Sequence, residues 1–148
     1  MMQPRTKLNH LIAELSRRNY HGGVYAKAQN VRPAYVAAFD RALAEVDVLA
    51  MPTVRNIAPH MEELPADPAA AIEANLRRNW MLMPMAYNTK PTNYTGHPAL
   101  AVPCGKVDGM PISLQLVGRF FADPLLLRIA YAYQKAVDWA EITGVRQR

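Results

Sequence analysis

The chain has 148 residues, of which 51% are hydrophobic and 20% charged, with a formal net charge of +5. A chain of this length can bury a core, because domains of about 150 residues hide roughly two thirds of their unfolded surface. Its basic residues are dispersed, with no run longer than the pairs at 17–18 and 77–78, so the basic stripe of a nucleic-acid binder is missing and no nucleic-acid partner is predicted.

Two helical patterns open the chain. Apolar residues at the i, i+3, i+4 and i+7 spacing of one helix face predict a helix over 5–18. These residues are Leu8, Leu11, Ile12 and Leu15. The His21-Gly22-Gly23 step breaks this helix, and the same spacing then predicts a second helix over 31–46. Pro33 is tolerated in its first turn, where a residue has no intrahelical N–H bond to lose.

The middle of the chain alternates strand, loop and helix. An unbroken apolar run over 48–51 predicts a buried strand in the middle of a sheet. The segment 52–68 carries four prolines and little periodicity, which predicts a loop. Helical spacing returns over 69–84, where Pro84 ends or kinks the helix because its ring removes a backbone hydrogen bond.

A hairpin and a helix follow. Asp108 and Gly109 tolerate the positive φ that a two-residue type I′ turn requires, and the side chains after them alternate with the period of a strand. A hairpin is therefore predicted over 99–118, with its first strand covered on both faces because it is uniformly apolar. Helical spacing predicts a last helix over 124–138, with Asp123 as its N-cap.

Few residues suggest a catalytic or metal site by themselves. Cys104 and His97 form a conceivable thiol and base pair, but seven residues separate them and no third group is evident that would orient the imidazole. A buried structural cysteine is the better interpretation. The histidines at 10, 21, 60 and 97 lack metal-binding spacing and have no cysteine pair beside them. We predict no catalytic residue, no metal site and no cofactor in this chain.

Features of membrane and secreted proteins are missing from the sequence. A single cysteine forms no internal disulfide, and the first twenty residues lack the apolar core of a signal peptide. No uncharged run reaches the roughly twenty residues that span a bilayer. These observations predict a cytoplasmic protein without a membrane partner.

The segment 88–119 carries a family pattern. Its letters include Asn-Thr at 88–89, Thr-Gly-His-Pro-Ala at 95–99, Val-Pro-Cys-Gly at 102–105, Asp-Gly-Met-Pro at 108–111 and Leu-Gln-Leu-Val-Gly-Arg at 114–119. Upstream lie Tyr-Ala-Lys-Ala-Gln-Asn at 25–30 and Asp-Val-Leu-Ala-Met-Pro-Thr at 47–53. In order and spacing, residues 20–138 resemble the C-terminal part of the amidase signature family.

This resemblance implies an α/β protein: a partial mixed sheet with flanking helices, forming the C-terminal portion of an amidase-signature α/β/α fold. The 148 residues are then a single domain or a C-terminal subdomain of a larger amidase domain. The implied activity is hydrolysis of the carbon–nitrogen bond of a carboxamide, which releases an acid and ammonia or an amine. The substrate of the complete protein is a small-molecule amide.

The family's catalytic centre consists of a catalytic serine, a bridging serine and a general-base lysine. In the family these residues precede the passages seen here, and the two serines lie in a Gly/Ser-rich loop. That loop is absent from this sequence, whose only serines are Ser16 and Ser113. Neither has the glycine neighbours that let a backbone oxyanion hole approach a substrate. This chain alone is therefore expected to be inactive.

The loop over 88–96 is a candidate for one wall of the substrate pocket, since α/β proteins place binding groups on loops at the ends of strands. Its candidate substrate-binding residues are Asn88, Thr89, Asn93, Thr95 and Gly96. The alternative is that they only build the turn into the next strand. Lys90 stands where related sequences have a small or apolar residue, which predicts a surface or pocket-rim position.

Two functions stay open. The chain is either the C-terminal portion of an amidase that contributes scaffold and one pocket wall, or a non-catalytic truncated module that acts as a self-associating or companion subunit. Three strands cannot cover all the apolar faces described above, so an isolated chain is expected to expose a large patch or to form a homo-oligomer.

Overall fold

The structure is a computed structural model that describes residues 4–60 and 63–144. Its helices are α1 (Pro4–Tyr20), α2 (Gly23–Glu45), α3 (Pro68–Leu82), α4 (Lys90–Thr95), α5 (Asp123–Ala136) and α6 (Trp139–Thr143), with a 3-10 helix at Met83–Tyr87. Its strands are β1 (Leu49–Pro52), β2 (Ala99–Val107) and β3 (Met110–Val117).

The described residues divide into two compact units. The helical unit takes its residues from Met1–Arg32 and Pro59–Pro84 and contains α1, the start of α2, and α3. The sheet unit takes its residues from Pro33–Ala58 and Met85–Arg148 and contains the remaining elements.

In the helical unit α1 packs against α3. Asp67 caps α3, because its carboxylate accepts a hydrogen bond from the backbone N–H of Ala70 at 2.8 Å and Pro68 follows at the first helical position. A cleft of about 580 Å³ is lined by Leu8, Leu76, Arg77 and Trp80. None of the described residues of this unit is buried, and several apolar side chains of α1 and α3 stay exposed, among them Leu11, Leu15 and Ile72.

The sheet unit is built on three antiparallel strands in the order β1-β3-β2. Asp108 and Gly109 form the hairpin turn with φ angles of 51° and 76°, as the sequence predicts. A register shift between Pro103 and Gly105 interrupts the pairing of β2 with β3, and Gly105 takes up the local distortion with a φ of 154°.

The core lies between this sheet and α5. Val102 on β2, Leu116 on β3 and Leu126 on α5 are buried together. Gly118 lets α5 approach closely, because a Cβ built there would lie 3.2 Å from a methyl carbon of Leu126. Leu43 of α2 and Val117 of β3 are fully buried as well.

The predicted α/β class is confirmed, and the structure corrects three details of the sheet. The described strands are all antiparallel, whereas a mixed sheet is expected from the sequence. β1 lies at an edge of the sheet rather than in its middle, with Ala50 exposed. Ala99 and Ala101 of β2 are exposed as well. An apolar run indicates that a strand tolerates burial of both faces. Whether both faces are buried depends on the elements that pack against the strand.

Helix boundaries also differ from the predictions. α2 begins at Gly23 rather than near residue 31, because the turn at His21-Gly22 is complete in two residues and helical hydrogen bonding resumes with Ala26 N–H to Gly22 O. Pro33 therefore lies inside the helix. At α5 the N-cap is Ala122 rather than Asp123. Asp123 lies in the first turn, where its negative charge interacts favourably with the helix dipole. The single-domain or subdomain assignment stays a prediction.

Candidate functional site

The segment predicted to line a substrate pocket is more ordered than the expected loop. α4 occupies Lys90–Thr95, and it ends at Gly96, whose φ of 89° is left-handed and whose N–H donates to Thr92 O at 2.8 Å. The helix is short and lacks a clear apolar period, so a pattern search at helical spacing passes over it.

Asn88 anchors this segment to the sheet. Its side-chain Nδ2 donates to the backbone oxygen of Pro52 at 2.7 Å, at the end of β1. Its own backbone oxygen accepts a 3.0 Å hydrogen bond from Nε2 of Gln115 on β3, a side chain that is buried. A buried amide needs such a partner, so these two bonds hold the start of the segment in one place.

The threonines of the segment bond within it. Thr89 Oγ1 donates to Ala86 O at 3.2 Å, and Thr92 Oγ1 donates to Thr89 O at 3.0 Å. Hydroxyls that bond to backbone groups three residues away are typical of turns and short helices. These contacts join the 3-10 helix to α4.

Thr95 and His97 belong to a buried polar chain that reaches α2. Thr95 Oγ1 lies 2.9 Å from His97 Nδ1, and His97 Nε2 lies 3.2 Å from Asp40 Oδ1. The rings of Phe39 and Phe120 stack on the imidazole at centroid distances of 5.2 and 4.3 Å. No group that orients His97 is evident in the sequence; the structure supplies Asp40, which is 57 residues upstream.

The order hydroxyl, imidazole and carboxylate is that of a nucleophilic relay, but its burial argues against catalysis. Thr95 is fully buried and His97 is nearly so, so the hydroxyl has no route to a substrate. The imidazole and the hydroxyl are buried, whereas the Asp40 side chain is 52% exposed, and hydrogen bonds of this kind make the local structure more rigid. Here it ties α2 to the chain just before β2. Cys104 is half-buried, whereas a buried structural cysteine is predicted.

The five candidate substrate-binding residues lie in one continuous stretch, but they differ in exposure. Asn88 and Thr89 are half-buried and hydrogen-bonded, and Thr95 is fully buried. Asn93 and Gly96 are exposed. The contacts of Asn88, Thr89, Thr95 and Gly96 favour the interpretation that these residues build the turn into β2. A role in the pocket wall stays a prediction, and Asn93 has the side chain best placed for it.

A cluster centred on Tyr87 is only partly visible in the sequence. The guanidinium carbon of Arg55 lies 5.7 Å from the centre of the Tyr87 ring, and the Lys90 ammonium lies 5.4 Å from the same centre. Both distances are within the range of a cation–π contact. All three residues are exposed. Lys90 stands out in the sequence as a departure from the family pattern, whereas nothing marks Arg55.

Metal-ligand geometry and membrane-spanning helices are both missing from the described residues. Across 4–60 and 63–144, no group of three or more His, Cys, Asp or Glu side chains is arranged to hold a metal ion. Within those ranges no helix has both the length and the apolar character required to cross a membrane.

The chain matches a family of known proteins over most of its length. The family model described as Amidase covers residues 3–127. This chain belongs to the amidase family. The match spans both units and includes the segment around Asn88.

Individual amidases agree with that assignment. A subunit of the glutamyl-tRNA(Gln) amidotransferase of Methanosarcina barkeri is 39% identical over 120 residues, which are 81% of this chain and 23% of that protein. The crystal structure of the glutamyl-tRNA(Gln) amidotransferase subunit of Thermotoga maritima has a TM-score of 0.65 and 26% identity, covering 94% of this chain and 28% of that one. The structure of 6-aminohexanoate cyclic dimer hydrolase has a TM-score of 0.60 and 28% identity, covering 80% and 25%.

These figures also fix the extent of the match. The chain spans about a quarter of the length of each of these three amidases. The sheet, its flanking helices and the segment around Asn88 therefore correspond to one part of an amidase-signature fold.

Proposed function

We propose that this chain is the C-terminal portion of an amidase and contributes scaffold and one wall of the substrate pocket. The observation that carries the proposal is the Amidase match over residues 3–127, in a chain that spans only 23% of the Methanosarcina relative. The proposed reaction of the complete protein is hydrolysis of a carboxamide. A cytoplasmic location and a lack of nucleic-acid and membrane partners remain predictions from the sequence.

The chemistry of the complete protein follows from the family resemblance. A serine, activated by a serine and lysine relay, attacks the amide carbon and forms an acyl-enzyme as ammonia or an amine departs. Water then attacks the acyl carbon and releases the acid. Backbone N–H groups stabilise the oxyanion that forms in both steps. By the resemblance these catalytic side chains precede the passages found in this chain, so the role proposed for the chain itself is positional.

The segment 88–96 is the part of the chain proposed to face the substrate. Asn88 supports this role because its bonds to Pro52 and Gln115 fix the segment at the end of β1. Binding groups held by a rigid sheet lose little entropy when a ligand binds. Asn93 is exposed on α4, where its side chain is open to a ligand.

The test is ammonia release from a small aliphatic amide and from an aryl amide. The purified chain should release none above a buffer blank. A chimera of 6-aminohexanoate cyclic dimer hydrolase, with its matching segment replaced by this chain, should hydrolyse an amide and lose that activity when its catalytic serine is replaced by alanine. A folded chimera without turnover contradicts the proposal. Turnover by the chain alone that survives Ser16→Ala and Ser113→Ala contradicts the account of the missing nucleophile.

A second function is favoured by the open apolar faces of the helical unit. Leu11, Ile12 and Leu15 of α1 are 62%, 52% and 58% exposed, and exposed apolar patches of this kind mark interaction surfaces. The second proposal is a non-catalytic module that associates with itself or with a companion subunit. Sedimentation of the isolated chain tests the self-associating form: a mass of two or more times 16.5 kDa supports self-association, and a monomer contradicts it and leaves only the companion subunit.

A further inference from the structure

Arg55 and Lys90 differ from the cations of α1 and α3 that pair with carboxylates. Arg17 and Arg18 pair with Glu14, and Arg77 pairs with Glu73. Within the described part of the chain, Arg55 and Lys90 have no ion pair with a carboxylate. Their contacts are with one tyrosine ring instead.

The two cations come from separate parts of the sheet unit that are both anchored. Arg55 follows the end of β1, where Thr53 N–H extends the pairing by donating to Ser113 O at 2.9 Å. Lys90 opens α4, two residues after Asn88, which is bonded to Pro52 at the same end of β1. Two segments that contact the sheet therefore each place a cation beside the Tyr87 ring.

Two positive charges that lie within 5.7 Å of the centre of one ring together favour an anion beside that ring. Like charges near a protein surface repel each other by a Coulomb term that falls with distance. An anion at the edge of the Tyr87 ring would lie within about a Debye length of both, roughly 10 Å at 0.1 M salt. The phenol ring provides an apolar floor against which the carbon chain of such an anion can pack.

One buried hydroxyl at the same strand end is left without a hydrogen bond. Thr53 Oγ1 is buried and has no hydrogen-bond partner in the described structure. A buried polar group without a partner costs about 1–3 kcal/mol. Thr53 lies between Pro52, which Asn88 contacts, and Arg55.

We propose that Arg55, Tyr87 and Lys90 form a cationic subsite that binds a carboxylate carried by the amide substrate. This inference rests on the proposed function, since it assigns a substrate class to the segment proposed as the pocket wall. Lys90 is adjacent to Thr89 and close to Asn93, both predicted to face the substrate. The amides processed by the complete protein are accordingly amides of dicarboxylic acids or of other acids with a second, free carboxylate.

Two small amides of nearly equal size test the proposal. Succinamate carries a carboxylate where butyramide carries a methyl group, and both have the same primary amide. Binding of each to the 148-residue chain is followed by the chemical shifts of the backbone amides of residues 87–90. We expect succinamate to bind about tenfold more tightly than butyramide at low salt, with the difference shrinking as salt is added. Equal binding would overturn the proposal.

Single substitutions then locate the site. Lys90→Met and Arg55→Met should each weaken succinamate binding by about fivefold and leave butyramide unchanged, because each removes one of the two exposed charges. Lys135→Met is the matched control: Lys135 lies 5.3 Å from the ring of Tyr131 on α5, with no second cation in contact with that ring within the residues described. An equal loss in Lys135→Met would show a general effect of net charge and would overturn the proposal.

Inorganic phosphate separates a substrate site from a general anion site. If phosphate binds residues 87–90 more tightly than succinamate does, the subsite recognises charge alone and the assignment to the substrate is wrong. Weaker binding of phosphate than of succinamate supports the proposal. All variants are checked by circular dichroism, and because the replaced side chains are exposed we expect them to fold as the parent does.

Failure of the subsite proposal can be distinguished from failure of the proposed amidase function. An inactive chimera, together with succinamate binding that depends on Arg55 and Lys90, would reject the amidase role and leave a carboxylate site. A chimera that hydrolyses succinamate and butyramide with equal kcat/KM would support the amidase role and reject the subsite.

Discussion

The helical unit and the sheet unit have similar amphipathic sequences but very different interiors. Among the described residues of the sheet unit, five apolar ones are buried: Leu43, Val102, Leu116, Val117 and Leu126. In the helical unit no described residue is buried, although α1 carries a complete apolar face. The difference teaches that a helical period is sufficient to predict a helix but does not supply the surface against which the helix packs.

This difference bears on both proposals. A helix of 17 residues is marginal in water by itself, and most of its stability in proteins comes from packing of its apolar face. If the chain is one portion of an amidase, the rest of that protein covers this face. If it is a companion module, a partner covers it. The sheet unit, in contrast, already has a sheet packed against α5.

The largest expected effect is a loss of stability when a buried side chain of the sheet unit is truncated. Leu116→Ala should lower the free energy of unfolding by about 2–5 kcal/mol, because it removes a buried side chain and leaves a cavity. Leu11→Ala on α1 should change it by less than about 0.5 kcal/mol, because that side chain is already exposed. Urea unfolding followed by circular dichroism measures both.

Equal losses in the two variants would mean that α1 is buried in solution, by self-association or by contacts outside the described fold. Repeating the Leu11→Ala measurement at several protein concentrations tells these cases apart, since the stability of an oligomer depends on concentration.

An intermediate loss of stability is expected at Gly118. Gly118→Val should cost about 1–3 kcal/mol, because the new Cβ meets Leu126 at 3.2 Å and Ala122 at 3.3 Å and the core must shift to accept it. Gly23→Val is the matched substitution in the helical unit, where nothing lies within 4 Å of the built Cβ, and it should stay within about 0.5 kcal/mol of the parent. Thermal unfolding of the two variants measures both changes in stability. A larger loss of stability in Gly23→Val would contradict the open space around the start of α2.

The smallest expected effect is a pH dependence confined to α1. Hydrogen bonds from Arg17 and then Arg18 lower the pKa of Glu14, against a slight opposing effect of desolvation. A lowered folded pKa contributes stability that is present above the unfolded value of about 4.3 and is lost as the pH falls toward the folded value. The helical signal of the parent should therefore fall slightly more than that of Glu14→Gln between about pH 5 and pH 3. Added salt should reduce the difference, since the group is exposed; identical curves would contradict the ion pairs.

Local chemistry was predictable where the deciding atoms are close in sequence. Asp108 and Gly109 specify their turn because both accept a positive φ, whatever the rest of the chain does. Gly144 ends α6 with a left-handed φ of 73°, a conformation that glycine adopts readily, and Pro68 opens α3 directly after its cap. The α/β class and the resemblance to amidases also follow from such short patterns in their order along the chain.

Long-range contacts were not predictable in the same way. Asp40 reaches His97 across 57 residues. Arg55 contacts the ring of Tyr87, on a segment that Asn88 joins to the end of β1. Nothing in the spacing of these residues indicates which side chains will be neighbours. The candidate substrate-binding residues were predicted as one stretch of chain. Which of them are buried and which are exposed is visible only in the structure.

The sequence by itself determined the turns, most of the helices and the family, because backbone preferences and apolar periods act over a few residues. Only the tertiary structure decided that β1 and β2 are edge strands, that Thr95 is buried, and that two cations share one ring. The physical reason is that burial and electrostatic proximity depend on which segments pair across the fold. Pairing is a property of the whole assembled sheet, and a single strand or helix does not encode it.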